Sequence, residues 1–170
     1  MLSGIARAAS GSGRAEVWAV GGPSSISGVP SSKYESLSLN IDTVWMRDYG
    51  PFGLSSGSKP GIVDSIYRHY QYRLNDDALP QNLGKKEGIG VYGMNMILDG
   101  GNLMVDSYGN MFMTNRTYKW NSSMSKDQVN SLLKKALHVK NIYVFDYAGA
   151  PGEPADGTGH IDMFMPFALI

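Results

Sequence analysis

DTVWMRDYGPFGL, residues 42–54, is the stretch from which the rest of the chain is read. Thr43 and Val44 open it as a strand. Gly50-Pro51 stops it, because a strand that runs into Gly-Pro cannot carry its hydrogen-bond ladder further. Between these stand Trp45, Arg47, Asp48 and Tyr49, four side chains of unlike chemistry. The expectation is that Asp48 sits at a rim, where a backbone turn aims it at a cationic ligand. A plainer reading stands beside it, with Arg47 and Asp48 a solvated ion pair of little energetic worth and Trp45 ordinary core. Only the remainder of the chain separates the two.

The 170 residues suffice for one domain with a sizeable core, and an apolar fraction of 42% is that of a soluble globular protein. The reading is therefore a single domain over residues 1–170. Fifteen Lys and Arg balance 15 Asp and Glu, which leaves no electrostatic footprint for nucleic acid or an anionic membrane. There is no cysteine, which excludes disulfides, thiolate metal sites and a thiol nucleophile from these residues. Residues 1–14 have no apolar run long enough for a signal peptide, and no later stretch approaches a membrane span. Met94, Met96, Met104, Met111, Met113, Met163 and Met165 fall in strand-like alternation and read as adaptable core filler rather than a metal-binding box.

Taken in order, residues 2–9 read as a short helix ended by Gly11 and Gly13, and residues 15–20 as a strand. Residues 24–38, rich in Ser, Gly and Pro, read as a surface loop. After the opening stretch come a turn over 55–60, a strand over 61–67, a polar aromatic segment over 68–77 and a short helix around 78–85. The acid pair Asp76-Asp77 reads as the N-terminus of that helix. Residues 88–98 read as a strand that delivers Asp99-Gly100-Gly101-Asn102, and 103–106 with 110–114 as a hairpin. The strongest helix spans 126–137, capped by Ser125 with Gln128 at the capping-box position and with Val129, Leu132, Leu133 and Ala136 as its apolar stripe. Residues 141–147 read as a buried strand, 149–157 as an irregular loop, and 158–165 as an extended segment. Residues 166–170 are apolar, from which the expectation is that the natural protein continues.

The order contains a repeat of elements without sequence identity. Helix, strand, loop and then a polar station that opens another strand recur, with stations at Asp48, Asp99 and His160/Asp162, roughly 50 to 60 residues apart. Units of this kind stacked around an axis bring their stations to one place. Two carboxylates and an imidazole in one pocket suit a planar cation: a guanidinium stays protonated and is bound bidentately by carboxylates, with Asp48 and Asp162 the candidates. Trp45 covers its alkyl stem or stacks on its face. In an extended segment His160 and Asp162 project from the same face, and the imidazole moves a proton to a leaving nitrogen and from an attacking water. A plainer reading makes His160 a structural histidine, and a minor one makes it, with Asp162, part of a metal site; His69 and His138 lack ligand spacing.

With Trp45-Met46-Arg47-Asp48-Tyr49-Gly50-Pro51, Asp99-Gly100-Gly101-Asn102 and Gly159-His160-Ile161-Asp162 in that order, residues 15–165 resemble the bacterial, Porphyromonas-type peptidylarginine deiminase and agmatine deiminase family of the guanidine-modifying (pentein) superfamily. The resemblance implies an α/β propeller of five ββαβ units, of which this chain holds about three. It implies hydrolysis of a guanidino group to a ureido group with release of ammonia, without a cofactor. The substrate is a small guanidine or an arginine-containing peptide, and the location is secreted for the peptidylarginine branch and cytoplasmic for the agmatine branch. By the motif match, Asp48 and Asp162 hold the guanidinium, His160 is the acid and base, and Asp99 stands where relatives carry a longer acid that orients the histidine. Trp45, Asn102 and Arg73 complete the substrate-binding set, with Gln71 where the peptidylarginine branch has a second arginine. The thiolate nucleophile of the family lies after the H-x-D station, so the isolated chain is expected to be catalytically silent. The alternative is a guanidinium- or arginine-peptide-binding module without catalysis.

Overall fold

LSGIARAASG forms the first helix, α1 (Leu2–Gly11), in the computed structural model of the protein, which describes residues 2–67, 71–150 and 152–165. By its internal contacts the chain divides into two units, Met1–Asp42 and Thr43–Ile170. In the first, β1 (Val17–Val20) pairs in parallel with β2 (Tyr34–Leu37), with Val17 opposite Tyr34 and Val20 opposite Leu37. This corrects the reading of 24–38 as a loop. Leu37 is buried, and the Ser36 hydroxyl donates to the Gly22 carbonyl (2.9 Å), so a parallel partner 17 positions upstream orders a segment whose composition suggests none.

The second unit opens with one helical turn, α2 (Met46–Tyr49), and then runs twice through strand, antiparallel strand, helix and parallel strand. The first pass is β3 (Phe52–Ser56), β4 (Lys59–Ile66), α3 (Leu74–Glu87) and β5 (Gly90–Ile97). The second is β6 (Met104–Val105), β7 (Asn110–Thr114), the helices α4 (Arg116–Trp120) and α5 (Lys126–Leu137), and β8 (Asn141–Phe145). A small hairpin, β9 (Gly149–Ala150) with β10 (Glu153–Pro154), and a 3-10 turn, Ile161–Met163, follow. The ββαβ unit is thus present twice. The strands form separate two- and three-stranded sheets, and among the described residues none closes into a barrel or propeller.

Local chemistry explains the helices. Asp76 and Asp77 lie in the first turn of α3, where carboxylates meet the positive end of the helix, and Gly88 ends it at φ 66°, a left-handed conformation that suits glycine. Helix α5 carries the expected capping box: the Ser125 N–H donates to Gln128 Oε1 (2.7 Å) and the Gln128 N–H to Ser125 Oγ (3.2 Å). Val129 and Leu133 of its stripe are fully buried, with Leu132 and Ala136 packed at the margin. They meet Met94 and Met96 of β5 and Met111 and Met113 of β7 in one core, so these methionines fill space rather than bind metal. Strand β8 departs from expectation: Tyr143, Val144 and Phe145 are exposed, because β8 is an edge strand with β7 on one side only. No helix among the described residues is long and apolar enough to cross a membrane.

Candidate active site

Asp48 is presented by the α2 turn, not by a strand end. The Thr43 N–H and hydroxyl donate to the carboxylate of buried Asp76 (3.1 and 2.7 Å), and the Tyr49 hydroxyl donates to the Thr43 carbonyl (2.8 Å). These bonds satisfy Thr43 away from any sheet, so the β-like residues Thr43 and Val44 make no ladder. Within the turn the Asp48 N–H donates to the Trp45 carbonyl (2.8 Å), and Gly50, at φ 89°, releases the chain into β3.

The two glycines between Asp99 and Asn102 are there because nothing larger fits. A Cβ on Gly100 would stand 2.0 Å from the Arg47 carbonyl oxygen, so the α2 turn rests directly on this backbone. A Cβ on Gly101 would stand 2.3 Å from His160 Nδ1 and 2.6 Å from Asp48 Oδ1. Gly101 is therefore the floor on which imidazole and carboxylate meet. Around it, His160 Nε2 lies 3.1 Å from Asp99 Oδ2 and Nδ1 lies 3.4 Å from Asp48 Oδ1. Asp99 thus reaches the imidazole in spite of its short side chain.

His160 and Asp162 do not share a strand face. His160 is extended and buried, whereas Ile161–Met163 turns as a 3-10 helix and leaves Asp162 on the outer side. There the Asp162 carboxylate pairs with Arg47 Nε (3.6 Å), while Arg47 Nη2 donates to the Leu103 carbonyl (2.8 Å). A guanidinium of the chain itself therefore sits on Asp162. The fully buried Asn102 lies behind the site: Oδ1 accepts from the N–H groups of Thr114 (2.9 Å) and Ile161 (3.2 Å), and Nδ2 donates to Thr117 Oγ1 (3.0 Å). Trp45 is 56% exposed beside the turn, and Arg73 donates to the Tyr67 hydroxyl (2.8 Å). His69 and Tyr70 fall outside the described residues.

The site concentrates negative charge. Burial pushes the Asp48 carboxyl above its ordinary value; His160 opposes this, while Asp99 and Asp162 reinforce it. Burial works against a charged His160 ring, yet the hydrogen bond and charge of Asp99, then the charges of Asp48 and Asp162, outweigh it and raise its pKa. Nearby Tyr67 is pushed up to about 12, first by burial, and the charges of Asp48 and Asp99 add to this. An imidazolium among three carboxylates leaves two negative charges, of which Arg47 on Asp162 offsets one, so the site has a net demand for one more cation. Asp48 and Asp99 lie against opposite nitrogens of the ring and cannot share one ion with it, and among the described residues no group of three His, Cys, Asp or Glu forms a metal site.

Two neighbours escaped the sequence reading. Trp120 lies edge-on to the His160 ring (centroids 6.0 Å, 84°), and the Arg116 guanidinium lies 5.2 Å above Trp120. The i, i+4 spacing of Arg116 and Trp120 on a helix was the available signal.

The family model for Porphyromonas-type peptidyl-arginine deiminase matches residues 6–169. A curated protein of Latilactobacillus sakei subsp. sakei (strain 23K), named "Putative agmatine deiminase", is 31% identical over 148 residues, 77% of this chain and 39% of its own length. Among solved structures, an agmatine deiminase of Enterococcus faecalis superimposes with a TM-score of 0.73 at 20% identity, covering 95% of this chain and 47% of that one. A C. jejuni agmatine deiminase variant with substrate bound gives 0.71 at 19%, covering 92% and 49%. The chain thus spans about two fifths of its curated relative and about half of each solved neighbour. With the family's matched span covering nearly every residue, and the fold shared with these structures, the chain belongs to the Porphyromonas-type peptidyl-arginine deiminase family.

Proposed function

We propose that this chain supplies the carboxylates and the imidazole of a guanidine deiminase that hydrolyses a guanidino group, on peptidyl arginine or on agmatine, to a ureido group with release of ammonia. The observation that carries the reading is the His160 ring held between Asp48 (3.4 Å) and Asp99 (3.1 Å), with Asp162 adding a third negative charge. Asp48 and Asp162 hold the substrate's planar cation, and a substrate guanidinium replaces that of Arg47 on Asp162. Trp45, exposed beside Asp48, covers the alkyl stem, and Arg73 is bonded to the Tyr67 hydroxyl. Asp99 fixes the ring and its charge, while Asn102 acts from behind it.

A thiolate attacks the guanidinium carbon, and the protonated His160 gives its proton to the nitrogen that leaves as ammonia. The resulting amidino thioester is attacked by water, whose proton passes to His160. The carbon–sulfur bond then breaks to leave the ureido product. No cysteine stands among these 170 residues, so the thiolate comes from elsewhere and the chain alone does not turn over. On this reading the two complete ββαβ units and the parts flanking them make up about three of the five units of an α/β propeller catalytic domain, in keeping with the span residues 1–170 share with longer relatives. The missing thiol also favours a second reading, a module that binds a guanidinium or an arginine peptide without catalysis.

NMR titration of the chain with agmatine, with an arginine peptide and with the ureido counterpart of agmatine, in which only the guanidinium end is made neutral, tests the proposal. Guanidinium compounds should shift the resonances of Asp48, His160 and Asp162, and Asp48→Asn should abolish that response. Equal responses to the guanidinium and ureido compounds, or none at these residues, would refute it.

A further inference from the structure

We propose that Asn102 and Thr114 are positioning residues that clamp the peptide groups on either side of His160, and so fix the imidazole between its two carboxylates. This rests on the reading of His160 as the proton-transfer group. Thr114 Oγ1 donates to the Gly159 carbonyl (2.6 Å), the peptide oxygen just before His160. Asn102 Oδ1 accepts from the Ile161 N–H (3.2 Å), the peptide nitrogen just after it. The two clamping side chains are tied together, because the same Asn102 oxygen accepts from the Thr114 N–H (2.9 Å) and Asn102 Nδ2 donates to Thr117 Oγ1 (3.0 Å).

Asn102 and Thr114 have no exposed surface, so neither has atoms to offer a ligand. Their polar atoms are spent on backbone groups and on the Thr117 hydroxyl, which is how a buried amide and hydroxyl avoid the cost of desolvation. The backbone they hold has little freedom of its own. Gly159 is at φ 75°, and a Cβ there would stand 3.1 Å from Pro154 and 3.4 Å from Arg116. Asp99-Gly100-Gly101-Asn102 therefore acts on one histidine twice, with its first side chain on the ring and its last on the main chain. Placement matters because a proton donor displaced by about 1 Å from its productive geometry loses rate on the order of a hundredfold.

Thr114→Val removes the hydroxyl at nearly constant shape, and Thr114→Ser restores it. Each is made in the 170-residue chain, and the His160 ring is titrated by NMR. Asp48, Asp99, Asp156 and Asp162 are the carboxylates whose charges act on or are acted on by that ring. The valine variant should move the His160 midpoint down toward the ordinary value of about 6.5, and the serine variant should restore it. A folded valine variant with the wild-type His160 titration would overturn the proposal, even if its melting temperature fell. In the unaltered chain the Ile161 amide should exchange its proton at least about tenfold more slowly than exposed Gly57 and Ser58; equal rates would overturn it whether or not the valine variant folds. Agmatine binding is read separately. Its failure with an intact His160 titration would sink the proposed function and leave the clamp standing.

Discussion

Gly101→Ala is the substitution that most directly probes how the imidazole and carboxylate are seated. Gly101 carries no left-handed backbone angle, so the alanine adds no backbone strain and its whole effect is steric. The new methyl stands 2.3 Å from His160 Nδ1 and 2.6 Å from Asp48 Oδ1, and ordinary contact begins at 3.4 Å. Each group must therefore withdraw by about 1 Å. His160 has little room to do so, with Asp99 3.1 Å away on its far side and its flanking peptide groups bonded to Asn102 and Thr114. Overpacking of this kind costs about 1–3 kcal/mol. The loss of the Asp48 contact adds to it only where His160 is charged. Urea denaturation of the chain at pH 5.5 and at pH 8.5 should therefore show destabilisation at both, and more at the lower pH. Gly93→Ala, where a methyl meets nothing within 4 Å, serves as the control and should stay within about 0.5 kcal/mol of the parent. A Gly101→Ala chain with the parent's denaturation midpoint and an unmoved His160 resonance would refute the packing described here.

Two further outcomes follow from the same structure. His160 is raised above its ordinary value, so it binds its proton more tightly folded than unfolded: its contribution to stability is complete below about 6.5 and is lost as pH rises through the folded value. Denaturation midpoints should fall across that window, and His160→Gln should remove the fall; a pH-independent midpoint would contradict it. Asp48, raised from 3.8, acts in the same sense in a more acid window. Ser125→Ala removes the side-chain half of the α5 cap and should cost about 1 kcal/mol in urea denaturation, with the His160 titration unmoved.

What could be read from the sequence divides by the range of the interaction that forms it. Helix α5 was legible because its cap and stripe lie within one run of residues, and the 103–114 hairpin because its turn lies between its strands. The α2 turn was not: Thr43 and Val44 favour strand by composition, and they are drawn out of it by Asp76, 33 residues along the chain. The same holds for β2, whose parallel partner lies across a Ser- and Gly-rich segment, and for β8, whose unbroken apolar run reads as a core strand but stands at an edge. At the site, Asp48, Asp99 and His160 could be grouped as polar stations at recurring intervals, and they do meet. The sequence could not say that Asn102 faces inward, because an amide for the backbone and an amide for a ligand are spelled alike. It could not reveal what Gly100 and Gly101 are for either, since a glycine chosen for close approach differs from a turn glycine only in what lies above its missing Cβ. Here that is the Arg47 carbonyl over one and the His160 and Asp48 side chains over the other, so one dipeptide joins the motif around Asp48 to the motif around His160. Each of these motifs supplies the surface against which the next is packed, and the three meet at the imidazole.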